Sequence, residues 1–169
     1  MRFVFASTVL ITSFLITLFL TKQTKSHTTS IRQCVLMVEN IEIQISYSNL
    51  KLVDLISQLS DSSNYSNLLF LNEIKRKMTD FSDFNIVCND VFNDKNIMDL
   101  FDVEDIELLK GFFGGFGKSD VNGQILNCKT YKEFFKQKLS LLESQEKSKC
   151  RSQTAVAVGL GLIFSIVII

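Results

Sequence analysis

Three residues in a glycine-rich stretch have the types required for phosphate chemistry. Gly117, Lys118 and Ser119 match the end of a phosphate-binding loop, in which backbone amides and a lysine hold the phosphate oxygens. That motif needs a second glycine separated from Gly117 by four residues, but Phe112 occupies this position. The motif also follows a buried strand, whereas the residues before this stretch have helical spacing. The sequence therefore favours a structural turn over nucleotide binding.

The other residue types that support catalysis or metal binding are dispersed. There is one histidine, His27, and no Gly-x-Ser-x-Gly nucleophile motif. The cysteines lack the close paired spacing of zinc sites. Eighteen Lys and Arg residues balance eighteen Asp and Glu residues, so the overall charge does not indicate nucleic acid binding. We therefore predict no enzymatic activity, cofactor, metal, nucleic acid or small-molecule substrate. The four cysteines are Cys34, Cys88, Cys128 and Cys150.

Glycines mark a sharp turn between two helical segments. Five of the seven glycines lie between positions 111 and 123, in a chain without proline. Glycine adopts positive φ without steric cost, so the backbone is expected to turn here. Ser119 and Asp120 are favourable N-cap residues and predict that a helix begins directly after them. Apolar residues from Val121 to Leu142 then recur every three or four positions, which predicts a long amphipathic helix.

The preceding segments also have helical periodicity. Apolar residues recur every three or four positions over 31–59, 68–78 and 84–92. Thr29 or Ser30 is expected to cap the first of these helices, since both are N-cap residue types. No segment favours a sheet. We therefore predict an all-α fold, a helical bundle of five or six helices with an N-terminal and a C-terminal membrane segment.

Uncharged segments occupy both ends of the sequence. Residues 3–20 carry no charge and form about 27 Å of helix, close to the roughly 30 Å of a bilayer core. Residues 155–169 are also uncharged and form about 22 Å of helix, which requires a thinned bilayer or a terminus at its far surface. We predict a transmembrane segment at 1–21, a helical domain at 22–153 and a second membrane segment at 154–169.

Cations on both flanks of the central domain predict its location. By the positive-inside rule, these residues place the domain in the cytoplasm. The alternative is an exported, disulfide-containing surface protein with a membrane or lipid anchor at its C terminus. It requires a cleaved signal peptide, but the first apolar run is long for one and lacks a clear cleavage site. The flanking cations are Lys22, Lys25, Arg32, Lys147, Lys149 and Arg151.

The glycine turn and the helix before it resemble a family signature. Residues 105–109, residues 116–120 and Gln124 resemble the signature of the stage III sporulation protein AB family, in which an aspartate-led helix precedes Leu-Gly-x-Ser-Asp-x-x-x-Gln. The chain length and the apolar ends fit the same family. The sequence departs from the usual pattern at three positions: Phe116 for leucine, Gln44 for glutamate and Lys51 for proline.

The resemblance implies a fold, a role and partners. The fold is similar to the helical domain of type II secretion inner-membrane platform proteins. The role is a non-enzymatic membrane scaffold of the endospore channel complex between mother cell and forespore, in the mother-cell membrane. The implied partners are a cytoplasmic secretion-type ATPase, stage III sporulation protein AA, and other membrane components of the complex. The residues implied to hold the turn are Asp105, Gly117, Ser119, Asp120 and Gln124.

Acidic residues gather before and within the helix that precedes the turn. Their simplest role is favourable placement at a positive helix N-terminus, together with solubility. The alternative is a docking surface, and within it Glu42 and Asp102 are candidate contacts to the ATPase. The cluster comprises Asp99, Asp102, Glu104, Asp105 and Glu107.

Overall fold

The computed structural model describes the backbone of residues 2–47, 52–78 and 83–168, and the side chains of 25–47, 52–78 and 83–148. Across these ranges it has six α-helices, one 3₁₀ turn and no strand, which confirms the predicted all-α fold. The helices are α1 (Arg2–Tyr47), α2 (Leu52–Asp61), α3 (Leu69–Lys77), α4 (Phe84–Phe92), α5 (Val103–Gly114) and α6 (Val121–Ile168), and the 3₁₀ turn is Ser63–Tyr65.

The two longest helices, α1 and α6, pack against each other. They contain 46 and 48 residues, so each is about 70 Å long. The shorter helices pack in chain order, each against the next, and α5 packs against α6. The fold is therefore a long helix pair with four short helices arranged beside it.

The beginning of α1 differs from the prediction. Thr29 and Ser30 do not cap a helix, because α1 already begins at Arg2 and runs through both of them. Thr29 Oγ1 donates to the Lys25 carbonyl at 2.8 Å, and Ser30 Oγ donates to the carbonyl one turn earlier at 3.0 Å. Hydroxyl groups inside a helix commonly donate to a carbonyl of the preceding turn in this way. The N-cap preference of Thr29 and Ser30 therefore does not start a helix here, because the helix already continues from earlier residues.

The far end of the predicted first helix also differs. The periodic segment 31–59 is divided between α1, which ends at Tyr47, and α2, which begins at Leu52. The apolar spacing persists across the division because both helices bury one face in the same core. Spacing alone therefore did not reveal the break.

The structure does not describe the side chains of the two predicted membrane segments, 1–21 and 154–169. Among the residues that the structure describes, no helix is both long and apolar enough to span a bilayer. The helical backbone passes the predicted boundaries at 21/22 and 153/154 without interruption. The membrane segments and the three-part division of the chain stay predictions.

Phenylalanine rings form the centre of the core. The Phe113 ring on α5 contacts Phe70 of α3 at a centroid distance of 6.0 Å and Phe92 of α4 at 5.4 Å. Edge-on and tilted contacts of this kind add to the stabilisation from apolar burial. Phe112 and Phe135 are also fully buried and extend the core toward α6. The core thereby fixes α5 between the short helices and the long pair.

Candidate functional site

The first turn of α5 is closed by two aspartates. Asp102 Oδ1 accepts from the backbone N–H of Asp105 at 2.9 Å, and Asp105 Oδ2 accepts from the backbone N–H of Asp102 at 3.0 Å. This reciprocal capping box satisfies two amides that lack partners within the helix. Asp105 is fully buried, so its carboxylate needs further compensation for the water it has lost.

Side chains from both long helices provide this compensation. His27 Nε2 on α1 lies 2.6 Å from Asp105 Oδ2. Lys138 Nζ on α6 lies 3.4 Å from Asp105 Oδ1, 3.0 Å from Asp102 Oδ2 and 2.5 Å from Glu104 Oε2. We call His27, Asp102, Glu104, Asp105 and Lys138 the α5 charge cluster. It joins α1, α5 and α6 at one point.

The charges in this cluster shift the pKa values of three of its members, His27, Asp102 and Lys138. The hydrogen bond to Asp105, assisted by the charges of Asp105 and Asp102, raises the pKa of His27, although burial and Lys138 oppose the shift. Burial opposes the charge on Lys138, but Glu104, Asp102 and Asp105 together raise its pKa. Burial likewise opposes ionisation of Asp102, yet the backbone N–H of Asp105 and Lys138 lower its pKa. These interactions therefore favour the charged forms of His27, Asp102 and Lys138.

Three residues of the cluster are also of types that bind metal ions. His27, Asp102 and Asp105 offer ligand atoms within 4.8 Å of one another. However, the Lys138 ammonium lies within 3.4 Å of both aspartates and would repel a cation. The 2.6 Å between His27 and Asp105 is also a hydrogen-bond distance, shorter than the roughly 3 Å between neighbouring ligands about 2.1 Å from one ion. The geometry suits a proton and an ammonium group rather than a metal.

The glycine turn lies at the other end of α5. Gly117 has φ of 75°, a left-handed conformation that favours glycine. Asp120 Oδ1 accepts from the backbone N–H of Gly123 at 2.9 Å and caps α6. Gln124 Nε2 donates to the Ser119 carbonyl at 3.2 Å. Four of the five residues that match the family signature therefore meet at the turn.

Asp105, the fifth residue, lies in the α5 charge cluster and not at the turn. The sequence signature thus marks both ends of α5. The Asp102-x-x-Asp105 spacing is a capping-box pattern and was readable from the sequence. The partners His27 and Lys138 were not, because they come from distant parts of the chain.

The sequence predictions also did not include a close approach between α5 and α6. A Cβ added at Gly111 would lie 2.2 Å from Tyr131 Oη, and one at Gly115 would lie 2.7 Å from Asn127 Nδ2. Asn127 Nδ2 donates to the Phe112 carbonyl at 3.0 Å and caps the end of α5. The four-residue spacing of the two glycines, which places them on one helix face, was the signal in the sequence.

The two residues predicted to contact a partner have partners within the chain. Glu42 pairs with Lys132 of α6 at 2.6 Å, and both side chains are mostly buried. Asp102 is engaged by Lys138 and by the capping box. A protein partner would have to compete with these bonds.

A family model described as stage III sporulation protein AB matches residues 2–169. No curated protein and no solved structure matches the chain. The family match covers every helix of the structure together with both apolar ends, so it does not depend on the glycine turn alone.

Proposed function

Because the chain belongs to the stage III sporulation protein AB family, we propose that it is a non-enzymatic scaffold of the stage III sporulation channel complex in the mother-cell membrane. Its apolar ends anchor it in the bilayer, and its helical domain lies in the cytoplasm. There it docks a secretion-type ATPase, the AA member of the same complex, to the membrane components.

The connection between α1 and α6 is the observation that carries this proposal. Arg32 pairs with Glu143 at 2.8 Å, and Thr28 Oγ1 donates to Glu146 at 2.5 Å. The Glu42–Lys132 pair lies farther along the same two helices. The three bridges span residues 28 to 42 of α1, about 21 Å. Since the same two helices lead to the apolar ends, this connection supports a role in transmitting force or position between the domain and the bilayer.

Exposed carboxylates near the start of α5 provide the docking surface in this proposal. Glu104 and Glu107 pair with Lys138 and Lys110 within the chain, but their side chains are 75% and 66% exposed, and Asp99 is also exposed. Asp102 orients this surface by capping α5. A group of neighbouring exposed carboxylates attracts a basic surface on a partner and speeds its association. In this proposal Glu42 does not contact the ATPase. It supports docking indirectly, by holding α1 and α6 together through its pair with Lys132.

The proposal is tested by co-purification of the full chain, in detergent, with the ATPase. We expect Asp99→Lys/Glu107→Lys to reduce the recovered ATPase at least about tenfold, because two attractive charges become repulsive. The matched control, Asp61→Lys/Glu133→Lys, reverses two exposed carboxylates elsewhere and should leave recovery unchanged. Equal recovery with both variants, at unchanged melting temperature, would exclude this docking surface.

A further inference from the structure

We propose that His27 is a protonation switch that fixes the first turn of α5 to the two long helices. His27 reaches from α1 to the buried carboxylate of Asp105, while Lys138 reaches the same carboxylate from α6. One proton therefore changes the charge balance at the point where three helices meet.

The balance is set by the groups that face His27. Asp102 and Asp105 face it from α5, and Lys138 faces it from α6. Glu104 completes the cluster through Lys138. With neutral His27, three carboxylates face one ammonium, and a protonated imidazole supplies the second positive charge. Because Asp105 is fully buried, this charge cannot be replaced by solvent.

Deprotonation weakens the contact with Asp105. A neutral imidazole that keeps its Nε2 proton still donates to Asp105 but loses the attraction between opposite charges. In the other neutral tautomer, the Nε2 lone pair faces the carboxylate and repels it. The α1–α6 connection has its own bridges, Arg32–Glu143 and Glu42–Lys132. The switch therefore acts on α5 and leaves the long helix pair in place.

The direction of the pH dependence follows from the folded-state pKa of His27, which lies above its usual 6.5. The stabilisation from protonated His27 is fully present below pH 6.5 and is lost as pH rises through the folded-state pKa. We expect α5 to be held most firmly in mildly acidic solution and to loosen toward alkaline pH.

The chain contains one histidine, which makes the titration directly measurable. We would record NMR spectra of the full chain, labelled with ¹⁵N-histidine, in detergent micelles. The expected pKa is above 6.5 in the wild type and lower in Asp105→Asn, which removes the carboxylate charge. A wild-type pKa at or below 6.5 would overturn the proposal, even if the variant failed to fold.

Thermal unfolding of the full chain between pH 5.5 and 9 tests the consequence for stability. The wild-type Tm should fall relative to that of His27→Gln by on the order of 2–4 °C as pH rises. Arg32→Gln, which breaks an exposed α1–α6 pair, should keep the wild-type pH dependence. Parallel Tm curves for the wild type and His27→Gln would show that protonation does not hold α5.

Discussion

At the residue scale, Asp105 has the most demanding position in the described part of the chain. Its carboxylate is fully buried; Oδ2 accepts from a backbone N–H and lies beside an imidazole, while Oδ1 has only an ion pair with an ammonium group at 3.4 Å. Removing one partner from such a set leaves charge without solvent or counter-charge, which costs more than the pair itself contributes. The stability of this region should therefore be sensitive to Lys138.

Replacing Lys138 tests this sensitivity. We expect Lys138→Met to lower the free energy of unfolding by about 1–3 kcal/mol, because Asp105 and Asp102 lose their ammonium partner. Lys136→Met is the control on the same helix, since Lys136 is half-exposed and pairs with its neighbour Glu133. Chemical unfolding followed by circular dichroism measures both. Equal losses for the two variants would contradict a structural role for Lys138.

At the scale of elements, the junction of α5 and α6 depends on close approach as well as on the conformation of the turn. Gly117 has the positive φ, but a Cβ there would meet nothing within 4 Å. Gly111 and Gly115 instead allow Tyr131 and Asn127 to lie against α5. Asn127 thereby reaches the Phe112 carbonyl and caps the helix end. Packing between the helices, and not only backbone conformation, requires glycine here.

Neighbouring glycines should respond in opposite directions. Gly115→Ala should destabilise by about 1–2 kcal/mol, because the added methyl group displaces Asn127 from the Phe112 carbonyl. Gly114→Ala meets nothing within 4 Å and should stabilise by about 0.4–1 kcal/mol through lost freedom of the unfolded chain. Thermal unfolding measures both variants. If Gly115→Ala costs as much in an Asn127→Ala background, the explanation through Asn127 is wrong.

At the scale of the whole molecule, the state of three cysteine thiols distinguishes the cytoplasmic proposal from the exported alternative. Cys34, Cys88 and Cys128 are free and buried in the shared core. Burial raises the pKa of Cys88 and Cys128 to about 12, and that of Cys34 well above its usual value. Such thiols are unreactive at neutral pH because almost none is present as thiolate. The exported alternative instead requires disulfides.

Brief alkylation of the native full chain distinguishes these two cases. We expect Cys34, Cys88 and Cys128 to remain unmodified by N-ethylmaleimide at pH 7.5 and to react after denaturation. Mass spectrometry of the peptides measures the modification at each site. Peptides linked by a disulfide would favour the exported alternative, while rapid native labelling would contradict the described core.

The sequence by itself determined the features that depend on neighbours along the chain. Helical periodicity predicted the all-α fold, and the glycine-rich stretch predicted the turn that the structure has at Gly117. The Asp102-x-x-Asp105 capping box was not predicted, but its spacing is also a local pattern. The family signature was readable for the same reason, because its residues occupy short segments. The apolar ends likewise predict membrane segments from composition alone.

Only the tertiary structure decided which distant helix faces meet. His27 and Asp105 are 78 residues apart, and no local pattern indicates that α1 and α6 converge on the start of α5. The carboxylate of Asp105 is removed from water by burial, so its charge is stabilised by the cations that packing brings near it. Periodicity shows that a helix has a buried face, whereas the partner of that face depends on how the whole chain packs.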